Sequence, residues 1–188
     1  MNDRQAVALV HLLADLEQIR HADGEIHAAR AAKNWTGDVA LDDIYAAFPS
    51  GFSPEALAAA RALELAVEQR LVMTREPVRQ ALAYAREAGK RVIAISDTYF
   101  NKTEIEALLA SAGLEGAFDA IYLSSELGAR KDRGDLWPLV LQTEGVAARS
   151  WVHVGDNEVS DMQRAGDRGL GVFHTMNPVT LLGQKRFF

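Results

Sequence analysis

"VIAISDTYF", Val92–Phe100, is the stretch on which the reading of the fold turns. An apolar run stops abruptly at Ser96-Asp97-Thr98, so a strand-like segment finishes in a hydroxyl and a carboxylate. A second stretch, "WVHVGDNEVSD" (Trp151–Asp161), repeats the arrangement with Gly155-Asp156-Asn157 after the apolar part. Buried polar groups are costly unless they are bonded or serve a site. In open parallel sheets ligands bind beyond the carboxyl ends of the strands. Both segments therefore point to one functional edge.

Working outward, helix and strand signals alternate after about residue 75. Pro77–Ala88 reads as a helix closed by Gly89, and Arg91–Ser96 as a strand. Asn101–Ala112 reads as a helix, with Asn101 and Glu104 spaced as a capping box and Gly113 at its end. Ala120–Ser124, Ser150–Val154 and Gly171–His174 read as further strands, with helices at Leu136–Thr143 and Ser160–Arg168. Such alternation predicts an α/β fold, a parallel sheet with helices on both faces. Before residue 75 the signals are helical throughout. Ser53–Arg70 begins with an N-cap serine and a proline at the first helical position. Ala40–Phe48 reads as a short helix and Leu16–Lys33 as another. Two parts are expected: 1–75, a helical cap-like subdomain, and 76–188, the α/β core.

The composition narrows the partners. The chain has 188 residues, 48% hydrophobic, with a net charge of −6. It carries no basic run with interleaved aromatics, so nucleic acid is not an expected partner. Cysteine is absent, which excludes disulfides, thiolate catalysis and cysteine-ligated metal. Ala6–Ala14 is too short to span a bilayer and is followed at once by Asp15 and Glu17. The expected location is the cytoplasm, without a membrane partner.

Three predicted strand ends carry polar groups: Ser96-Asp97-Thr98, Ser124-Ser125 and Gly155-Asp156-Asn157, with Lys131 in the loop after the second. A hydroxyl with neighbouring backbone N–H groups suits phosphate oxygens, a lysine offsets their charge, and paired carboxylates suit a hard cation. Ser96, Asp97, Thr98 and Lys131 are thus candidate phosphate-binding residues, and Asp156 and Asp161, with Asn157 as a further contact, candidate metal ligands. The histidines carry less weight. His153, inside a strand, reads as packed, and His174 ends a strand near the site edge.

This order of motifs resembles the haloacid dehalogenase (HAD) superfamily, whose members are mostly phosphatases. Its second motif, an apolar strand ending in Ser or Thr, matches "VIAIS" and Ser96. Its third, a lysine near the start of a helix, matches Lys131 in "SSELGARKDRGDLW". Its fourth, an acidic pair after an apolar strand, matches Asp156 and Asp161. "GKRVIAISDTYF", "IYLSSELGARKDRG", "HVGDNEVSD" and "ALDDIYAAF" resemble, more narrowly, the predicted HAD hydrolases joined to bacterial glycosyltransferases. The likeness spans residues 16–178. It implies a HAD-like Rossmannoid core and a magnesium-dependent phosphatase acting on a small phosphorylated molecule through an aspartyl-phosphate. It also implies that Ser96 and Lys131 are catalytic and contact phosphate, and that Asp156, with Asp161, ligates Mg²⁺.

The first HAD motif, a strand followed by Asp-x-Asp, supplies the nucleophile and has no clear match. Val7–Gln18 reads as a helix. Read instead as a strand, it would end in Asp15, the one candidate nucleophile. By the resemblance the first-motif strand is central, between the strands ending at Ser96 and Gly155, and its loss would leave inner edges unpaired. The slot is expected to be filled by Val7–Leu13, by the C-terminal "GQKRFF", by a second copy of the chain or by a partner polypeptide. The chain is accordingly expected to be inactive or incomplete as an enzyme by itself. The alternatives are a non-catalytic phosphate- or metal-binding relative and a nucleotide-binding module. The last is disfavoured because no G-x-G-x-x-G follows a strand.

Overall fold

The computed structural model describes residues 24–33, 37–48 and 51–176. Asp15, the Val7–Leu13 segment, the first part of the Leu16–Lys33 helix and the C-terminal "GQKRFF" lie outside the described residues. The chain divides into two compact units, Met1–Gly128 and Ala129–Phe188.

In the first unit the described elements before residue 75 are all helices: α1 (Gly24–Ala32), α2 (Leu41–Ala46) and α3 (Pro54–Leu71). Ser53 caps α3 as its sequence suggests, its Oγ accepting from the Ala56 N–H at 3.2 Å. Then follow α4 (Glu76–Glu87), β1 (Ile93–Ser96), α5 (Lys102–Ser111), β2 (Ala120–Leu123) and a single turn, α6 (Ser124–Leu127). The capping box of α5 is complete: Asn101 Oδ1 accepts from Glu104 N at 3.0 Å, and Glu104 Oε2 accepts from Asn101 N at 2.9 Å. Gly113 closes the helix at a positive φ of 72°.

β1 and β2 are parallel, with Ser96 opposite Leu123. The helical crossover through α5 is what a parallel pair requires. Both strands end level, so Asp97 and Ser124 leave the pair at the same edge. The strand expected to reach Ser124 stops one residue early, because Ser124 begins α6.

The apolar residues of α2 and α3 pack with those of α5 and with the loop after β1. Leu41, Tyr45, Ala60, Phe100 and Leu108 form one buried cluster, flanked by Tyr99 and Ile105. Polar ties reinforce it. Leu41 N donates to Tyr99 O at 2.8 Å. Arg61, on α3, reaches Asp42 on α2 and Glu104 on α5, at 2.6 and 2.5 Å. α2 and α3 are therefore fastened to the loop that follows Ser96 and to α5.

The second unit holds α7 (Leu136–Glu144), a 3₁₀ turn (Ala148–Ser150), β3 (Val152–Gly155), a π-helical turn (Glu158–Gln163), α8 (Arg164–Gly166) and β4 (Gly171–His174). β3 and β4 are parallel, Val152 opposite Gly171 and Gly155 opposite His174. Leu136, Trp137, Val140 and Ala165 are fully buried. The helix expected over Ser160–Arg168 begins two residues earlier and with a wider turn. Asn157 Oδ1 accepts from Val159 N and Ser160 N, and Asn157 O accepts from both Asp161 N and Met162 N. The bond to Met162 spans five residues, which makes the turn π-helical.

The described strands thus form two parallel pairs, and no further strand joins either pair among the described residues. Among these residues no helix is long and apolar enough to cross a membrane.

Candidate functional site

The end of β1 is shaped by the end of β2. Ser124, fully buried, accepts from Thr98 N at 2.9 Å and donates to Thr98 O at 3.2 Å. Ser125 Oγ donates to Phe100 O at 2.8 Å, and Thr98 Oγ1 accepts from Phe100 N at 3.2 Å. Glu126 Oε1 accepts from Lys102 N at 2.7 Å. The polar residues that end β2 are thus engaged in holding the Asp97–Asn101 loop. Thr98 is engaged there too, by its N–H and its hydroxyl. Ser96 stands half-buried as the last residue of β1, with Asp97 beside it.

In the second unit Lys131 opens a tight turn, with Gly134 N donating to its carbonyl at 2.9 Å. The neighbouring charges are paired locally. Arg130 lies against Asp132 at 2.6 Å, and Arg133 against Asp135 at 2.9 Å. The Lys131 ammonium sits 2.5 Å from Asp161 Oδ1. His153 Nε2 approaches the same oxygen at 3.0 Å, and Asp161 Oδ2 accepts from Asn157 N at 3.1 Å.

Asp161 is buried, and burial alone would raise its pKa. The His153 hydrogen bond, the Lys131 hydrogen bond and charge, and the Asn157 N–H outweigh it and hold the carboxyl well below the usual range. Asp161 is therefore ionised at neutral pH. The carboxylate fits this place because residue 155 is glycine. A Cβ there would lie 2.4 Å from both Cγ and Oδ2 of Asp161.

Asp156 follows β3 directly and is exposed. Its backbone is tied down from β4. His174 Nε2 donates to Asp156 O at 3.1 Å, and Thr175 N donates to Gly155 O at 2.8 Å.

The structure thus brings Lys131 and Asp161 together and places Asp156 at the adjoining strand end. Ser96, Asp97 and Thr98 belong to the first unit. Asn157 acts as an N-cap, its side-chain oxygen occupied by two backbone donors. Three residues play parts that a reading of the sequence misses. Ser124 and Ser125 pass for site hydroxyls but brace a loop. His153 passes for a packed residue but bonds the key carboxylate. A signal for it does exist: a histidine between Val152 and Val154 in a strand needs a partner if it faces inward.

Magnesium, the ion implied by the resemblance, can be tested against these donors. Among the described residues no group of three or more His, Asp or Glu side chains is placed to hold a metal. Asp161 has both oxygens engaged. Asp156 is an exposed, hard oxygen donor and suits an ion that keeps several of its waters.

Comparison with known proteins gives one family. The haloacid dehalogenase-like hydrolases match over residues 2–166. No curated protein matches the chain. Among solved structures, a HAD family enzyme of Bacteroides thetaiotaomicron is similar with a TM-score of 0.62 at 17% identity, covering 98% of this chain and 92% of its own. A haloacid dehalogenase-like family hydrolase of Xanthomonas campestris gives 0.61 at 18% identity, with coverage of 90% and 75%. A HAD phosphatase of Thermococcus onnurineus gives 0.56 at 18%, with coverage of 78% and 62%. At these identities the likeness is one of fold, an α/β fold with parallel strands. With the family match over most of its length, the chain belongs to the haloacid dehalogenase-like hydrolases.

Proposed function

We propose that the chain is a phosphatase-type domain of this family, acting on a small phosphorylated molecule in the cytoplasm. The observation that carries the reading is the Lys131 ammonium, held by a buried, ionised Asp161 at the end of β3 with the exposed Asp156 beside it. A lysine fixed in this way presents a positive charge whose position is set before any ligand arrives. Such preorganisation is what favours the charge on a phosphoryl group. Ser96, in the first unit, offers a strand-end hydroxyl of the kind that donates to a phosphate oxygen.

Asp156 is the residue that would hold Mg²⁺. A bound ion would supply further neutralisation of phosphoryl charge. Asp161 keeps the role its bonds give it, orienting Lys131. The described helices before residue 75, α1, α2 and α3, act as the cap. Their ties to Tyr99, Phe100 and Glu104 support that role, because they set the cap against the loop after Ser96.

The described residues contain no Asp-x-Asp after a strand, and Asp15 lies outside them. This favours a second reading, a domain that binds phosphate without turning it over. Losing the nucleophile of a cooperative site costs on the order of 10⁴–10⁶ in rate. The chain by itself is therefore expected to bind inorganic phosphate while hydrolysing p-nitrophenyl phosphate with magnesium little or not at all.

Both readings are tested by titrating phosphate while following amide shifts, and by assaying turnover in the wild type, Lys131→Met and Asp15→Asn. Binding that disappears in Lys131→Met supports the site. Robust turnover lost in Asp15→Asn would reject the non-catalytic reading and make Asp15 the nucleophile. Phosphate binding that ignores Lys131→Met would reject the site itself.

A further inference from the structure

β3 inverts the usual pattern of a strand. Its buried position is His153, at 8% exposure, while Val152 and Val154 on the other face are 67% and 49% exposed. A histidine in the interior must be bonded to be tolerated. This one is bonded to Asp161 Oδ1, the oxygen that also receives the Lys131 ammonium.

We propose that His153 is a positioning residue: it fixes the Asp161 carboxylate, and through it sets where the Lys131 ammonium stands. The inference deepens the phosphate reading and rests on it only for what Lys131 does.

The chemistry of the contact sets its direction. An ionised carboxylate accepts and cannot donate, so the proton lies on His153 Nε2. Asp161 then has three donors: His153 and Lys131 on Oδ1, and Asn157 N on Oδ2. Lys131 approaches along a flexible four-carbon stem and cannot orient a carboxylate by itself. Asn157 N holds only the second oxygen. The imidazole is the rigid donor on the oxygen that matters.

The ring is itself held. Trp137, fully buried on α7, meets it edge-to-face, with centroids 4.7 Å apart and planes at 73°. Trp137 Nε1 makes no hydrogen bond among the described residues, so the indole serves as a wall for the imidazole and not as a further polar link. The order is Trp137 against His153, His153 onto Asp161, Asp161 onto Lys131, and each step is a contact within the second unit.

A merely satisfied core histidine would make the same contacts, and its loss would lower stability alone. Substitutions at position 153 separate the two roles. Gln carries its amide nitrogen as many bonds from Cβ as Nε2 and keeps the donor. Leu keeps the apolar volume and removes the donor. Asn, which is shorter, puts its donor where Nδ1 lies and serves as the second donor-misplacing variant if Leu does not fold.

The readout is the rate of reductive methylation of Lys131, followed by mass spectrometry on the full chain, together with its affinity for inorganic phosphate. A charge-assisted hydrogen bond of this kind corresponds to a change of about tenfold or more. His153→Leu and His153→Asn are expected to speed methylation of Lys131 about tenfold and to weaken phosphate binding by a similar factor. His153→Gln is expected to restore both. Unchanged Lys131 methylation in folded His153→Leu or His153→Asn overturns the positioning role. So does loss that Gln fails to rescue. A wild type that binds no phosphate, but whose Lys131 methylation still depends on His153, removes the phosphate reading and leaves the positioning role standing.

Discussion

Two strand ends in this protein carry polar residues for opposite purposes. Where β1 and β2 end together, the polar side chains bond the backbone of the loop after β1. Ser124, Ser125 and Thr98 each engage an N–H or a carbonyl of the following loop. At the end of β3 they bond each other, as Lys131, Asp161 and His153 form a buried charged cluster. The first arrangement exchanges neutral hydrogen bonds with water for equivalent ones in the protein, at small net gain. The second takes two charges out of water and depends on their staying paired. The first therefore builds a shape and the second builds a charge. The contrast predicts that substitutions at the β3 end are the more damaging.

The largest effect is expected at Asp161. Asp161→Asn leaves the Lys131 ammonium without its anion, and breaking one side of a buried pair costs about 3 kcal/mol. The effect also depends on pH. The folded pKa of Asp161 is depressed, so its contribution is fully present above the unfolded carboxylate value and is lost as pH falls towards the folded one. Urea unfolding should therefore show a gap between wild type and Asp161→Asn that is constant at neutral pH and narrows below about pH 4. A gap that widens in acid would mean the carboxylate is not held ionised by its partners.

Gly155→Ala comes next. The glycine has no positive φ to explain it, and its function is to leave space. The added methyl would meet the Asp161 carboxylate at 2.4 Å. Either β3 or Asp161 must shift. Overpacking of this kind costs about 2 kcal/mol. A shift that falls on Asp161 should also make Lys131 more reactive to amine reagents. Loss of stability without that change would place the strain in the strand and not in the cluster.

Sequence reading reached the β1 and β3 ends unequally. The apolar runs, the capping box at Asn101 and Glu104, the N-cap at Ser53 and the glycine stops were legible, because each depends on neighbours a few residues away. The places of Ser96, Lys131 and Asp156 followed from motif order and resemblance. Partner choice was not legible. Asp161 has the spacing of a metal ligand, yet its lysine lies thirty residues earlier in the chain. Ser124 has the character of a site hydroxyl, yet it holds the Thr98 backbone. The π-helical turn that carries Asp161 arises from an Asn157 carbonyl accepting two N–H groups, which no helical periodicity reports. Local rules write the elements; the bonds between distant side chains appear only when the elements are in place.

The smallest effect is expected at Ser124, and it tests the neutral half of the contrast. Ser124→Ala removes the hydroxyl that both accepts from Thr98 N and donates to Thr98 O. The backbone N–H of Thr98 is then left without its acceptor next to a fully buried side chain, and an unsatisfied group of this kind costs about 1.5 kcal/mol. No charge is uncovered, so the loss should stay constant as the pH falls from 7 to well below 4, unlike that of Asp161→Asn. The consequence should be local to the first unit. Amide exchange should accelerate from Thr98 to Phe100, while Lys131 methylation in the second unit stays at the wild-type rate. Ser125→Ala, which frees only a carbonyl that a water molecule can satisfy, should cost less than Ser124→Ala in the same unfolding measurement. If Ser124→Ala proved as damaging as Asp161→Asn, or as sensitive to acid, the distinction between a strand end that builds shape and one that builds charge would fail.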